Sequence, residues 1–102
     1  MNRNFALACL ACAAGLAAPE PGHAQSPAAP PIVAISDIHG AYDAFIDVLR
    51  AAGLIDATLA WTGGNARLVI VGDVLDRGAR SRDALELVMQ LEQRAAAVRG
   101  AV

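Results

Sequence analysis

Cysteine occurs only at positions 9 and 12, so no disulfide can brace the chain beyond them. Lysine is absent, and the eight basic residues are all arginine. With a net charge of −2 and no strong basic patch, charge alone gives no argument for a nucleic-acid partner. No apolar run reaches the ~20 residues that a membrane-spanning helix needs, so no stable membrane anchor is expected. Neither G-x-G-x-x-G nor G-x-x-x-x-G-K-[ST] occurs, which weakens a general nucleotide-binding reading. Aromatic residues make up only 4%, with Trp61 the single tryptophan. Apolar residues are abundant: 56% apolar against 18% charged suits a folding chain rather than a disordered one.

The 102 residues make one domain at most. Residues 1–24 read as a removable export signal. Arg3 and the amino terminus are positive, Phe5 to Ala18 is apolar, and Gly22-His23-Ala24 has the small–x–small pattern. Cleavage is expected after Ala24, giving an exported product, periplasmic or secreted; the competing reading is a buried N-terminal helix. Both cysteines and His23 would leave with the signal, making His39 the only histidine of the mature chain. Residues 25–31 (QSPAAPP) read as a Pro/Ala-rich linker. Residues 32–102 form the remaining unit. At this size one core rarely supplies more than ~3–5 kcal/mol.

Ile32 to Ser36 and Leu68 to Val71 are short apolar runs that read as buried strands. Ala41 to Gly53 reads as a helix with Ala44, Phe45, Val48, Leu49 and Ala52 on one face and Gly53 as its stop. Leu59–Trp61 and Arg67–Val71 flank Thr62-Gly63-Gly64-Asn65, a plausible hairpin turn. Ser81 is placed as the cap of a second helix, with Asp83 in its first turn. Ala84, Leu85, Val88, Leu91, Ala95 and Val98 form its apolar face, and Gly100 its end. Ala101-Val102 resemble the opening of a third strand. The order strand, helix, strand, helix, strand start is the beginning of an α/β parallel sheet. Such sheets place ligands beyond the carboxyl ends of the strands.

Both acidic motifs fall there: Asp37-Ile38-His39-Gly40 after the first strand and Gly72-Asp73-Val74-Leu75-Asp76-Arg77-Gly78 after the second. Asp37 and His39, two apart in an extended exit, project the same way and form a mixed O/N site for Mn, Fe or Zn as the divalent ion. Asp73 leaves the neighbouring strand at the same edge and can join them, its second oxygen free to bridge to another ion. Two such ions grip a phosphoryl group and ionise a water. Arg77 offers a forked guanidinium to phosphate oxygens. Asp76 suits orienting a ligand better than binding the ion. Trp61 is read as packing rather than substrate stacking, and Arg80 and Arg82 as a solvated helix start rather than a substrate patch.

SDIHG followed by GDVLDRG resembles the first two metal motifs of the calcineurin-like metallophosphoesterases. With Ser81 as the next matching residue, it resembles the branch holding the PPP-type serine/threonine protein phosphatases and the diadenosine tetraphosphatases. WTGGNARLVIVGDVLDRG is similar to bacterial Shewanella-like protein phosphatases. The resemblance covers roughly Ile32 to Val102. It implies the N-terminal βαβα part of a metallophosphoesterase α/β sandwich, with Asp37, His39 and Asp73 as metal ligands, Asp73 bridging, and Arg77 binding substrate phosphate. The family continues with G-N-H-[ED] after its third strand, and two more His ligands follow. Against that pattern residues 32–102 hold ligands for one metal and half of a second, and no acid. The expectation is a truncated phosphoesterase acting on a phosphoprotein or small phosphoester, inactive or nearly so alone. The alternatives are a dinucleoside-polyphosphate hydrolase and a one-metal-binding remnant without turnover.

Overall fold

A computed structural model describes residue 22 and residues 26–102. The expected signal and its cleavage site after Ala24 lie outside the described residues, Gly22 apart. Residues 26–31 carry no regular secondary structure. The elements that follow are β1 (Ile32–Ser36), α1 (Tyr42–Ala51), β2 (Arg67–Val71) and α2 (Ser81–Ala96). β1 and β2 pair in parallel, from Ile32 opposite Arg67 to Ser36 opposite Val71. After α2 the chain returns to the far edge of β2. There the Leu68 amide donates to the Ala101 carbonyl at 2.9 Å and the Ala101 amide donates to Ala66 at 3.1 Å. That parallel bridge is the strand opening expected at Ala101, and the whole is an open parallel α/β sheet.

The sheet is two-faced. Val33, Ile35, Leu68 and Ile70 belong to a core shared with Phe45, Ile46, Leu49, Leu87 and Leu91 of the helices. On the alternate positions Ile32 is 68% exposed and Val71 56%. The reading of both strands as buried thus holds for one face only among the described residues. Period-two geometry sends each second side chain to the opposite side of the sheet, whatever its apolarity.

Both helices form where the spacing places them; α1 is turned about its axis, while α2 keeps most of its expected face in the core. α1 buries Phe45, Ile46 and Leu49, with Tyr42 packed beside them, while Ala44, Val48 and Ala52 are exposed. α2 buries Ala84, Leu87, Leu91 and Ala95, with Val88 packed beside them, and leaves Leu85 exposed, while Val98 lies exposed beyond its end. Each helix has apolar residues over so wide an arc that periodicity alone does not centre the stripe. The packing of α1 and α2 on each other and on one sheet face does. Gly53 ends α1 as expected. At φ +71 it lets its own amide reach Arg50 and the Leu54 amide reach Leu49 at 3.0 Å, satisfying the last carbonyls.

Three local expectations are corrected. Ser81 does not cap α2: it is the first helical residue, Arg80 holds the cap position, and the Ser81 hydroxyl donates to the Gly78 carbonyl at 3.1 Å. Gly100 does not end α2, which stops at Ala96; Arg99 takes the left-handed position at φ +64, and the Gly100 amide closes on Ala95 at 2.8 Å. The hairpin is absent, because β2 pairs in parallel with β1. Trp61 pairs instead with Ile55, in a small antiparallel bridge. The Trp61 indole donates to the Gly64 carbonyl at 2.9 Å and packs against the core, in keeping with a packing role.

One carboxylate oxygen gathers three hydrogen bonds in the loop between Ile55 and Trp61. Asp56 Oδ1 accepts from the Thr58 hydroxyl at 2.7 Å, the Thr58 amide at 2.8 Å and the Ala60 amide at 3.1 Å. The Thr58 hydroxyl, then the two amides, hold this carboxyl below its ordinary value of 3.8. A depressed folded-state value stabilises fully above the unfolded value and ceases to do so as pH falls through the folded one. Asp56→Asn is therefore expected to lower the melting temperature at pH 7 by more than it does in acid, the gap closing as pH falls below the ordinary carboxyl value of 3.8. An equal deficit at pH 7 and in acid would refute this role for the carboxylate.

Candidate metal centre

Both ligand-bearing loops leave the same end of the sheet. The Asp37 amide donates to the Val71 carbonyl at 3.1 Å, continuing the parallel ladder one step past β1. The loops then interlock through backbone: His39 N–H donates to Asp73 at 3.0 Å and Gly40 N–H to Val74 at 3.0 Å. A Cβ at Gly72 would strike Asp37 Oδ1, and one at Gly78 would strike the His39 carbonyl. At Gly78 the obstacle is backbone and cannot move aside, whereas at Gly72 it is the end of a side chain.

The backbone here takes conformations that ordinary residues avoid. Asp37, His39, Asp76 and Arg77 have φ of +51, +47, +81 and +63. The Gly78 amide donates to the Asp76 carbonyl at 2.8 Å, closing a γ-turn around Arg77. Each such residue costs of order 1–3 kcal/mol and persists only where its surroundings over-determine it. Four of them in two facing loops mark the place where the chain spends stability on geometry.

The side chains gather around His39. Its Nδ1 lies 3.9 Å from Asp73 Oδ2 and its Nε2 3.8 Å from Asp37 Oδ1. Arg77 Nη2 is 3.4 Å from the same Nε2. The Nδ1 atom is buried and has no hydrogen-bond partner. An orphaned buried nitrogen is costly unless something outside the protein satisfies it. His39, Asp73 and Asp76 each present a ligand atom within 4.8 Å of the others. Donors about 2 Å from a common ion have separations of this order, and one imidazole with carboxylates suits a first-row dication. The residues present fit one such ion.

Asp37, His39 and Asp73, the ligands read from sequence, are thus brought to one place, with the two carboxylates beside opposite nitrogens of the ring. Asp76, read as an orienting group, stands inside the three-donor cluster, where Asp37 does not. The left-handed pair Asp76-Arg77 turns it there, and no periodicity rule anticipates two such residues in succession. Arg77 reaches over the cluster with a largely exposed side chain, its Nε 3.6 Å from Asp76 Oδ2. Arg82 is the exposed partner of Glu86, in keeping with a solvated helix start. Arg80 is exposed too, as expected of a solvated helix start, but it is also tied to its surroundings on three sides. Its Nε donates to Asp83 at 2.7 Å, its Nη1 donates to Asp43 at 2.9 Å, and its guanidinium stacks 4.0 Å from the Tyr42 ring centre. The hydrogen bond to Asp83, aided by the charges of Asp83 and Asp43, raises the Arg80 pKa above its ordinary value.

The sequence profile of the calcineurin-like phosphoesterases matches residues 30–100. The chain belongs to that family. Among proteins similar to this phosphoesterase chain, Shewanella-like protein phosphatase 2 of Arabidopsis thaliana is 42% identical over 64 residues, 63% of the chain and 16% of the relative. Shewanella-like protein phosphatase 1 of Plasmodium berghei is 47% identical over 47 residues, 46% of the chain and 13% of the relative. A cold-active protein-tyrosine phosphatase of a psychrophilic Shewanella superposes on 70% of the chain and 22% of its own, with a TM-score of 0.67 and 37% identity. The chain therefore spans between 13% and 22% of the proteins it matches, and the described residues carry one partial metal-ligand cluster.

Proposed function

We propose that the protein is an exported, metal-dependent phosphomonoester or phosphoprotein hydrolase. In this reading His39, Asp73 and Asp76 surround one divalent ion, with manganese favoured, and Asp37 stands beside the other nitrogen of the His39 ring. The observation that carries it is the buried, unpartnered His39 Nδ1 facing the Asp73 carboxylate. When bound, such an ion supplies Lewis-acid polarisation of a phosphoryl oxygen and lowers the pKa of a water.

The chain's own residues do the rest. Arg77, whose guanidinium is exposed beside the cluster, presents two parallel N–H donors to phosphate oxygens and orients the ester. Asp73, at the edge shared by both loops, has one oxygen toward His39 and a second available to another ion. The backbone ladder between the loops keeps these groups from spreading when an anion enters. The relatives named as protein phosphatases support phosphoprotein as the substrate class. Residues 1–24 support export.

The test is hydrolysis of p-nitrophenyl phosphate by the full chain recovered from the periplasmic fraction. Any turnover is expected to be weak, because the described residues hold one partial metal-ligand cluster, to need added Mn²⁺, to stop with a chelator, and to come from a protein beginning at Gln25. Hydrolysis unaffected by the chelator, or strict preference for dinucleoside polyphosphates over phosphomonoesters, would overturn the reading. Binding of one Mn²⁺ without any turnover would leave a metal-binding protein rather than an enzyme.

A further inference from the structure

An arginine at the start of a helix is unfavourably placed, because the unsatisfied N–H groups there carry positive partial charge. Arg80 sits at that position in α2 and supplies no side-chain cap bond. Its guanidinium instead contacts three groups at once. Nε donates to Asp83 Oδ2 at 2.7 Å in the first turn of α2, and Nη1 to Asp43 Oδ1 at 2.9 Å in the first turn of α1. The planar face lies 4.0 Å from the Tyr42 ring centre.

These contacts join the two segments that leave the ligand loops. Tyr42 and Asp43 follow His39 by three and four residues; Arg80 follows Asp76 and Arg77 by four and three. The backbone bonds from His39 to Asp73 and from Gly40 to Val74 fix the floor of the site, nearest the strands. The γ-turn that carries Asp76 and Arg77 lies further along the second loop, toward Arg80. An exposed ion pair adds little stability by itself. A fork bonded in two directions and stacked on a ring, however, fixes an orientation.

We propose that Arg80 is a positioning residue for the metal centre: by tying the start of α1 to the start of α2 it sets the separation between His39 on one loop and Asp76-Arg77 on the other. This rests on the reading of His39, Asp73 and Asp76 as metal donors. A lysine cannot replace it, since an ammonium bonds one carboxylate well and lacks the planar face.

The test uses the full chain with Arg80→Met, Arg80→Lys and Asp43→Asn. Mn²⁺ affinity is measured by calorimetry and the Mn²⁺ site by electron paramagnetic resonance, at a temperature where circular dichroism finds each variant folded. Arg80→Met is expected to weaken Mn²⁺ binding about tenfold, the scale on which groups that orient metal ligands act, and to broaden the manganese spectrum. Arg80→Lys should recover less than half of that loss on a logarithmic scale. Asp43→Asn, an exposed change that leaves the bond to Asp83 in place, should reproduce most of it. If the folded variants melt at lower temperature yet bind Mn²⁺ with wild-type affinity and spectrum, Arg80 is a stabilising residue only and the proposal is wrong. His39→Ala is run in parallel. Should it too bind Mn²⁺ as wild type, the donor assignment fails and takes the Arg80 proposal with it. Should it alone lose binding, only the Arg80 proposal fails.

Discussion

Asp73→Asn is expected to lower Mn²⁺ affinity by at least about a hundredfold, since even groups that merely orient a metal ligand cost 10–100-fold when lost. The Asp73 carboxylate faces the one buried nitrogen of the site that has no partner, His39 Nδ1, at 3.9 Å. An amide keeps the shape and one oxygen but removes the charge that offsets a dication. His39→Ala should lose binding to a similar degree. Asp76→Asn should cost less, about tenfold, because Asp76 already faces a cation in Arg77, with Nε 3.6 Å away, so its charge is partly compensated. Calorimetric Mn²⁺ titration of the three variants checks the order. If Asp73→Asn binds as tightly as wild type, Asp73 is not a donor. If Asp76→Asn loses as much as Asp73→Asn, the two carboxylates hold the ion equally.

Local patterns carry some features of this fold and not others. Ile32 to Ser36 and Leu68 to Val71 are apolar runs ended by Asp37 and Gly72-Asp73, so the strands and the common edge of the site are legible in the residues. The stripe on each helix is only partly so, because Ile46 and Val48, or Leu85 and Leu87, are similarly apolar and only the neighbour selects between them. The Thr62–Asn65 turn reads as a hairpin because Gly-Gly usually joins adjacent antiparallel strands. Here a parallel sheet had already taken β2, and Ile55 took Trp61. The roles of Asp76 and Arg80 escape sequence reasoning for a shared reason. One depends on two successive positive-φ residues and the other on a partner, Asp43, that lies 37 positions away. The signal for Arg80 was present only in retrospect, as an arginine at a helix start with an aspartate three residues on.

Gly78→Ala is expected to be the most destabilising single-methyl change in the molecule, at about 3 kcal/mol, the upper part of the range for overpacking. The reason is approach rather than torsion. Gly78 is not among the positive-φ glycines, so alanine could adopt its backbone. Its Cβ, however, would meet the His39 carbonyl oxygen, and Gly40 Cα at 2.7 Å. Both are backbone atoms of the facing loop, so no side chain can rotate away. Relief requires the loops to part, which lengthens the His39–Asp73 and Gly40–Val74 hydrogen bonds and moves His39 from the carboxylates. Gly53→Ala supplies the contrast. A Cβ there has nothing within 4 Å, and φ is +71, so only the left-handed strain of about 1–2 kcal/mol is imposed. Gly72→Ala separates stability from binding, since its Cβ would strike a movable side chain, that of Asp37, as well as straining a φ of +94. Thermal melts and Mn²⁺ titration of the three variants should rank Gly78→Ala lowest in stability. They should also show Gly53→Ala binding metal normally once folded, and Gly72→Ala weakened in binding beyond its loss of stability. With a core of this size supplying only ~3–5 kcal/mol, Gly78→Ala should leave a large unfolded fraction at room temperature. A Gly78→Ala protein that melts like wild type would mean that the two loops are not held in contact, and the metal centre would lose the scaffold argued for it.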